Sequence, residues 1–341
     1  MPVNVVVAYD LAPELAARIA AVSPDVRVRV LGAGASASFG GRLPYPSELT
    51  SATPDAELVE AAREAEVIFC GWAGPLPRLH LAAEAPRLRW VQLAHVGFDR
   101  VDPALAGGVA FTNIGEMSST PIAEWVVGCM LMFAKGWPGA FHAQRDHAWR
   151  RYMPREVDGA TVGIIGLGSI GGEVARRARA LGCRVIGMRR SFETSPTHPL
   201  VDEALPPARL PRLLAESDYV VLTAPLTAQT RGIIDAAALA AMRPEAVLLN
   251  VGRGPLIDES ALVEALRARR IAGAALDVFD REPLPPDSPL WDLDNLVMTP
   301  HIAAGTDHYY ERATDIFCDN LRRYLAGQPL ANLVDPSVTE A

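Results

Sequence analysis

Three ionisable residues stand just past the ends of three β-rich runs. Arg253 follows Val247–Asn250 in Asn250-Val251-Gly252-Arg253-Gly254. Glu282 follows Ala274–Phe279 in Asp277-Val278-Phe279-Asp280-Arg281-Glu282-Pro283, and His301 follows Leu296–Thr299 in Thr299-Pro300-His301-Ile302. Each alone has a plain alternative: a solvated loop arginine, a surface glutamate, a capping histidine. In an open α/β sheet, however, ligands bind beyond the carboxyl ends of the strands. There the three make an anion-binding fork and a His–carboxylate pair. Such a set suits reduction of a 2-oxo acid. The guanidinium grips the carboxylate and polarises the ketone, and an imidazolium gives a proton to the oxygen as a hydride reaches the carbon. A carboxylate in contact with the ring favours its protonated form.

A hydride needs a carrier, and the sequence offers a place for one. Gly166-Leu167-Gly168-Ser169-Ile170-Gly171 fits GxGxxG. The pattern alone is weak, but here it follows an apolar run (Val162–Ile165), opens a helical run (Ser169–Leu181) and precedes a further strand (Arg184–Met188), the context the motif requires. Gly166 permits the turn, Gly168 lets the backbone approach a pyrophosphate, and Gly171 lets helix and strand pack closely. The helix N-terminus supplies free N–H groups and partial positive charge for phosphates. At the end of the second strand, where an NAD site usually carries an acid about 20 residues further on, this chain has Arg189 and Arg190. An arginine cannot accept from a ribose hydroxyl but binds a 2′-phosphate through charge-assisted bonds. The expected cofactor is therefore NADP(H), with NAD(H) possible and an exposed arginine pair as the alternative.

The elements that must position these residues form two series. Strands are expected at Val3–Ala8, Val26–Leu31, Val67–Cys70 and Leu88–Leu93, with a helix at Ala12–Val22. A long helix is expected at Ile122–Gly136, holding Trp125, Met130, Met132 and Phe133 for core or subunit packing; its Pro121 stands near the first turn, where proline costs least. A polar connector runs from Trp137 to Asp158. The second series has strands at Thr161–Ile165, Arg184–Met188, Tyr219–Thr223, Val247–Asn250, Ala274–Phe279 and Leu296–Thr299, with helices at Asp235–Met242 and Glu259–Arg270. A last amphipathic helix, about Asp307 to Ala326, carries Ile316, Phe317, Leu321, Tyr324 and Leu325 on one side. Alternating strands and helices imply parallel sheets covered by helices. The Gly/Ser/Pro-rich stretch 32–47 is expected to be a loop.

Composition sets bounds. The chain of 341 residues suggests about two domains. With 50% hydrophobic and 21% charged residues it is globular. A net charge of −8 argues against nucleic-acid binding. Cys70, Cys129, Cys183 and Cys318 form no CxxC pair and are expected as buried free thiols in a reducing compartment. The N-terminus has no basic region ahead of its apolar run. The longest apolar run, Trp125–Ala134, is short of the ~20 residues that span a bilayer. The expected location is the cytoplasm, with no membrane partner.

Together these residues resemble the D-isomer-specific 2-hydroxyacid dehydrogenase family over roughly residues 60 to 325. The motifs that carry the likeness are Gly166–Gly171, Asn250–Gly254, Ala274–Pro283 and Pro300–Thr306, with Leu226–Thr230 after Pro225 and Ala123-Glu124 opening the long helix. The resemblance implies catalytic roles for Arg253, Glu282 and His301. It implies that Asp277 holds the nicotinamide carboxamide, and that Ala224, Pro225, Thr230, Val251, Gly252, Ala303 and Ala304 belong to the cofactor site. It implies that Val96 and Gly97, in the loop that also holds His95, bind the substrate carboxylate. The implied architecture is α/β with two doubly wound domains. One is a flavodoxin-like split substrate domain, 1–110 plus 303–341. The other is an inserted Rossmann NAD(P)-binding domain, 111–302, with the active site in the cleft. Homodimers are usual in the family, and Tyr152 lies in the segment that in some relatives reaches the partner's pocket.

The departures refine the expectation. His95 is bulkier than the small residues common in that loop and is a candidate substrate contact, narrowing the pocket or offering a second polar group, with a solvent-facing loop histidine as the alternative. No regulatory domain follows residue 335, which weighs against the larger phosphoglycerate dehydrogenases. Glu282 stands where formate dehydrogenases carry glutamine. The expected function is NAD(P)H-dependent reduction of a 2-oxo acid to the D-2-hydroxy acid, of the glyoxylate/hydroxypyruvate type or broader. The alternatives are an NAD-linked D-2-hydroxyacid dehydrogenase working oxidatively, and a nucleotide-sensing corepressor of the same fold. The corepressor would lean on long disordered tails, and no such tail is evident.

Overall fold

The computed structural model describes residues 2–31, 56–71, 85–97, 108–195 and 197–335. They fall into two compact units, 1–118 with 306–340 and 119–305. The expected loop at 32–47 and the end of the 95–99 loop lie outside the described residues.

The first unit opens with β1 (Val3–Val7), α1 (Pro13–Ala20), β2 (Val26–Val30), α2 (Ala56–Glu64), β3 (Val67–Cys70), β4 (Trp90–Leu93) and β5 (Ala110–Thr112). The second holds α3 (Ser119–Ala134), α4 (Trp137–Arg145), β6 (Thr161–Ile165), α5 (Ser169–Ala180), β7 (Arg184–Met188), β8 (Glu203–Leu205), α6 (Leu210–Glu216), β9 (Tyr219–Leu222), α7 (Ala236–Ala241), β10 (Val247–Asn250), α8 (Glu259–Arg267), β11 (Gly273–Leu276) and β12 (Leu296–Met298). The chain then returns to the first unit with α9 (Tyr309–Leu325) and β13 (Leu333–Val334).

The first sheet has the order β13-β5-β4-β3-β1-β2. Its pairs are parallel except β13, which runs antiparallel to β5. One face packs Phe69 and Trp90 against Phe317 of α9, with ring centroids 4.4 and 5.1 Å apart. Leu325, expected on the buried side of α9, is 37% exposed; the buried stripe runs instead through Ala313, Phe317, Cys318 and Leu321.

The second sheet is parallel throughout, in the order β12-β11-β10-β9-β6-β7-β8. Helices cover both faces, so β9, β10 and β11 are buried along their whole length and read as unbroken apolar runs, as both-side burial requires. The strand order reverses between β6 and β9, the switch point at which such sheets bind ligands.

Several expectations need correction. The expected division at 110/111 would cut β5. Because β5 pairs with β4 on one side and β13 on the other, residues to 118 stay with the first unit. The second division falls after Gly305 and not after 302, since Ala303 packs into the second unit's core. The supposed connector after Trp137 contains a helix, α4, entered through Gly136 in the left-handed region with a proline in its first turn. Strands β5, β8 and β13 and helix α6 are too short to give a periodic signal. The long helix also starts earlier than expected. With the 3-10 turn before it, Gly115–Ala134 is 20 residues, long and apolar enough by length and composition alone to cross a membrane. In the structure the α3 face carrying Ala123, Val126 and Met130 is buried in the core shared with α5 and the sheet. All four cysteines are buried and outside any disulfide.

Candidate active site

The glycine turn after β6 is built as its spacing demands. Gly166 has φ +100°, and a Cβ there would stand 2.4 Å from the Ala224 nitrogen. The ends of β6 and β9 thus touch backbone to backbone at the switch point, which a side chain at 166 would prevent. A Cβ on Gly171 would stand 2.2 Å from the Gly166 carbonyl oxygen, so helix α5 seats directly on the turn. Gly168 differs: a Cβ there would meet nothing within 4 Å. Among the described residues no contact requires glycine at 168, which fits space reserved for a ligand. Gly168 is also the N-cap of α5 and offers no side-chain cap, so among the described residues no capping side chain occupies the N–H groups at that end of the helix. These features fit a dinucleotide pyrophosphate. On β9's side, the Thr230 hydroxyl donates to the Pro225 carbonyl at 2.7 Å and closes the turn that begins at Ala224.

Arg189 extends from the end of β7 back toward the glycine turn. Its Nη1 donates to the Leu167 carbonyl at 3.3 Å, and its guanidinium lies over the Phe192 ring, 4.9 Å from the centroid. Arg190 is exposed beside it.

Along the same edge, β10, β11 and β12 are consecutive neighbours. Adjacent strands lie about 4.8 Å apart, so groups on three neighbouring ends fall within reach of one small molecule. Past β10, the Asn250 side chain clamps the turn: Oδ1 accepts from the Gly252 N–H at 3.0 Å and Nδ2 donates to the Arg253 carbonyl at 2.8 Å. Arg253 Nη1 donates to the Gly252 carbonyl at 2.8 Å. The N–H groups of Val251 and Gly252 are both used within the chain, the former by the Leu222 carbonyl. Any cofactor contact from this pair therefore falls to other atoms. Gly254 was not singled out by spacing, yet a Cβ there would stand 1.9 Å from the Phe279 carbonyl carbon. That contact lays the Arg253 turn directly on the loop that carries Glu282.

Past β11 and β12 the two loops are joined twice. His301 Nδ1 lies 2.8 Å from Glu282 Oε2, while Oε1 of the same carboxylate accepts from the Phe279 N–H at 3.1 Å. The imidazole is 28% exposed and the carboxylate 12%, so the ring can be reached and its partner is tucked behind it. His301 has φ +54°, a left-handed conformation that costs a non-glycine residue about 1–3 kcal/mol. Asp277 holds it there. Its backbone carbonyl accepts from the His301 N–H at 2.8 Å, and its carboxylate accepts from the N–H groups of Ile302 and Ala303, each at 2.9 Å, and from the Thr299 hydroxyl. In this structure the carboxylate expected to hold a carboxamide is engaged in shaping the His301 loop, and Ala303 takes part through its N–H. Ala304 packs at the edge of the core beneath.

The remaining candidates belong to other elements. His95, Val96 and Gly97 follow β4 in the first unit, where His95 Nδ1 faces the Gly97 carbonyl at 2.5 Å and Asn113 donates to the Val96 carbonyl at 2.8 Å. Tyr152 lies against the turn that follows α3. Its hydroxyl donates to the Lys135 carbonyl at 2.9 Å, and its ring lies against Gly136.

Residues 127–303 match the model of the D-isomer specific 2-hydroxyacid dehydrogenase NAD binding domain, a span that takes in the glycine turn, Arg253, Glu282 and His301. The chain belongs to the D-isomer specific 2-hydroxyacid dehydrogenase family. It is similar to the glyoxylate reductase of Aeropyrum pernix, with 35% identity over 298 residues that cover 84% of this chain and 88% of that one. It is also similar to the D-3-phosphoglycerate dehydrogenase of Methanocaldococcus jannaschii, with 34% identity over 296 residues, 84% of this chain and 55% of that one. The chain thus spans about half the length of its phosphoglycerate dehydrogenase relatives. Among solved structures, a D-isomer specific 2-hydroxyacid dehydrogenase from Xanthobacter autotrophicus Py2, in complex with NADPH and MES, superposes with a TM-score of 0.76. Its sequence is 32% identical, and the match covers 98% of this chain and 99% of that one. A 2-hydroxyacid dehydrogenase fold accounts for both sheets and for the site's position at the strand ends of the second.

Proposed function

We propose that the protein reduces a 2-oxo acid to the D-2-hydroxy acid with NADPH, on substrates of the glyoxylate/hydroxypyruvate type or broader. The observation that carries this reading is the His301–Glu282 pair, one strand away from Arg253 on the ligand edge of a dinucleotide-binding sheet. The nicotinamide cofactor supplies the hydride when bound. Arg253 grips the carboxylate and polarises the ketone with a two-pronged fork that lysine lacks. His301 donates the proton to the ketone oxygen, and Glu282 provides the imidazolium's counter-charge and fixes the ring's orientation. Val96 and Gly97 offer backbone N–H groups to the carboxylate. The NADP(H) preference rests on Arg189 and Arg190 at the end of β7, and the NADPH-bound relative supports it.

The same reading includes a cytoplasmic homodimer. Four thiols outside any disulfide suit a reducing compartment. Trp137, Phe141, Trp149, Tyr152 and Met153 expose large apolar side chains along one segment, as a subunit contact would.

The test is spectrophotometric. NADPH oxidation is followed with glyoxylate, hydroxypyruvate, pyruvate, phenylpyruvate and 2-oxoisocaproate, and then repeated with NADH. Turnover of at least one 2-oxo acid, with higher kcat/KM for NADPH, is expected. A chain that oxidises neither cofactor with any of the five is not the reductase proposed.

A further inference from the structure

The turn between β7 and β8 holds a histidine that the reduction does not use. His198 meets the Phe192 ring edge-on, with centroids 6.3 Å apart, and the same ring carries the Arg189 guanidinium at 4.9 Å. Phe192 is only 2% exposed, so it is a fixed platform that holds a cation and an imidazole together. The arrangement stands at the end of the sheet's second strand, where the adenosine ribose of a dinucleotide lies.

The tautomer of His198 follows from its own loop. The Leu200 N–H donates to Nδ1 at 3.3 Å, so Nδ1 is an acceptor and the neutral ring carries its hydrogen on Nε2. Burial and the charge of Arg189 both hold this imidazole below its usual range, which keeps it neutral near pH 7. The loop lies beside α5: Leu200 Cδ1 stands 3.6 Å from where a Cβ on Gly172 would be, an ordinary van der Waals distance. The nearest carboxylate along the chain, Asp202, is already engaged by Arg179 and by the Val185 N–H.

We infer that His198 is a second donor for the cofactor's 2′-phosphate, its Nε2–H acting beside the Arg189 guanidinium. This rests on the NADP(H) reading of Arg189 given above and goes beyond it. A phosphate monoester presents three acceptor oxygens, more than one guanidinium edge can satisfy. Arg189 already spends one of its N–H groups on Leu167. A neutral imidazole N–H adds a donor without adding a second repelling charge next to the arginine. His198 is therefore a specificity-determining residue that discriminates the phosphorylated ribose.

The full chain is titrated calorimetrically at pH 7.5 with adenosine 2′,5′-bisphosphate and, separately, with 5′-AMP. Wild type, His198→Ala and His198→Gln are compared, with thermal unfolding as a check on folding. Wild type should bind the bisphosphate more tightly than 5′-AMP. His198→Ala should weaken the bisphosphate about ten-fold or more, as loss of a bond to a charged group does, and leave 5′-AMP unchanged. His198→Gln, with an N–H at a similar distance from the backbone, should recover most of the loss. Equal weakening of both ligands, no weakening of either, or a Gln variant no better than Ala overturns the assignment while leaving the Arg189 reading intact. A wild-type chain that binds the bisphosphate no better than 5′-AMP removes both.

Discussion

His301 Nδ1 and Glu282 Oε2 stand 2.8 Å apart although 19 residues of chain separate them, because β11 and β12 are neighbours and each loop leaves its strand at the same edge. The carboxylate is fixed from the other side by the Phe279 N–H. Nδ1 is the ring atom turned toward the glutamate, so the carboxylate sets the orientation of the imidazole.

Glu282→Gln keeps the shape and removes the counter-charge of the imidazolium. The reduction rate should fall while NADPH binding is unchanged. His301→Ala should cost about 10²–10⁴-fold in kcat, the usual worth of a positioned general acid. Steady-state kinetics with parallel NADPH fluorescence titrations separate the two effects. A Gln variant with wild-type kcat would show that the pair is structural only.

Arg253→Lys should bind cofactor normally and lose most activity. A hydrogen bond to a charged group contributes about 1.5–3 kcal/mol, and lost alignment of carboxylate and ketone adds to that in the transition state. The measurement is kcat/KM for the best 2-oxo acid, and near-wild-type turnover in the Lys variant would remove Arg253 from the substrate site.

Arg189→Asp should move cofactor preference from NADPH toward NADH. The substitution removes the phosphate's partner and restores an acceptor for the ribose hydroxyl. The ratio of kcat/KM values for the two cofactors reads the switch; an unchanged ratio would place the arginine's work in the Leu167 and Phe192 contacts alone.

Two glycines of the turn should separate folding from binding. Gly166→Ala puts a Cβ 2.4 Å from backbone at a left-handed φ and should cost about 1–3 kcal/mol or more of stability. Gly168→Ala meets no atom of the described residues and should leave the unfolding midpoint unchanged while weakening NADPH binding. Calorimetry for stability and fluorescence titration for binding test the pair. A destabilised Gly168→Ala chain that still binds NADPH normally would refute the assignment of that space to a ligand.

Local chemistry made much of this molecule legible in the amino-acid order. The apolar runs Thr161–Ile165, Arg184–Met188 and Val247–Asn250 are strands at the bounds their patterns suggest, because a strand buried on both faces needs an unbroken apolar run. The glycine spacing could be read because it is a local demand of the turn, and residues 253, 282 and 301 stand out in sequence because each follows a strand, as in the structure. What had no local signal was left to tertiary structure. Two- and three-residue strands such as β13 and β5 exist only because a neighbour pairs with them, so the unit boundary at 118 could not be placed from periodicity. Gly254 matters only through the Phe279 backbone that the fold brings against it. Asp277 reads as a cofactor ligand by motif, yet the fold gives its carboxylate the Ile302 and Ala303 N–H groups and so the task of holding His301 left-handed. The neighbourhood of Phe192, with Arg189 and His198 on one ring, is likewise a product of packing. Pair contacts between distant residues depend on which strands become neighbours, and that is decided by burial of the whole sheet.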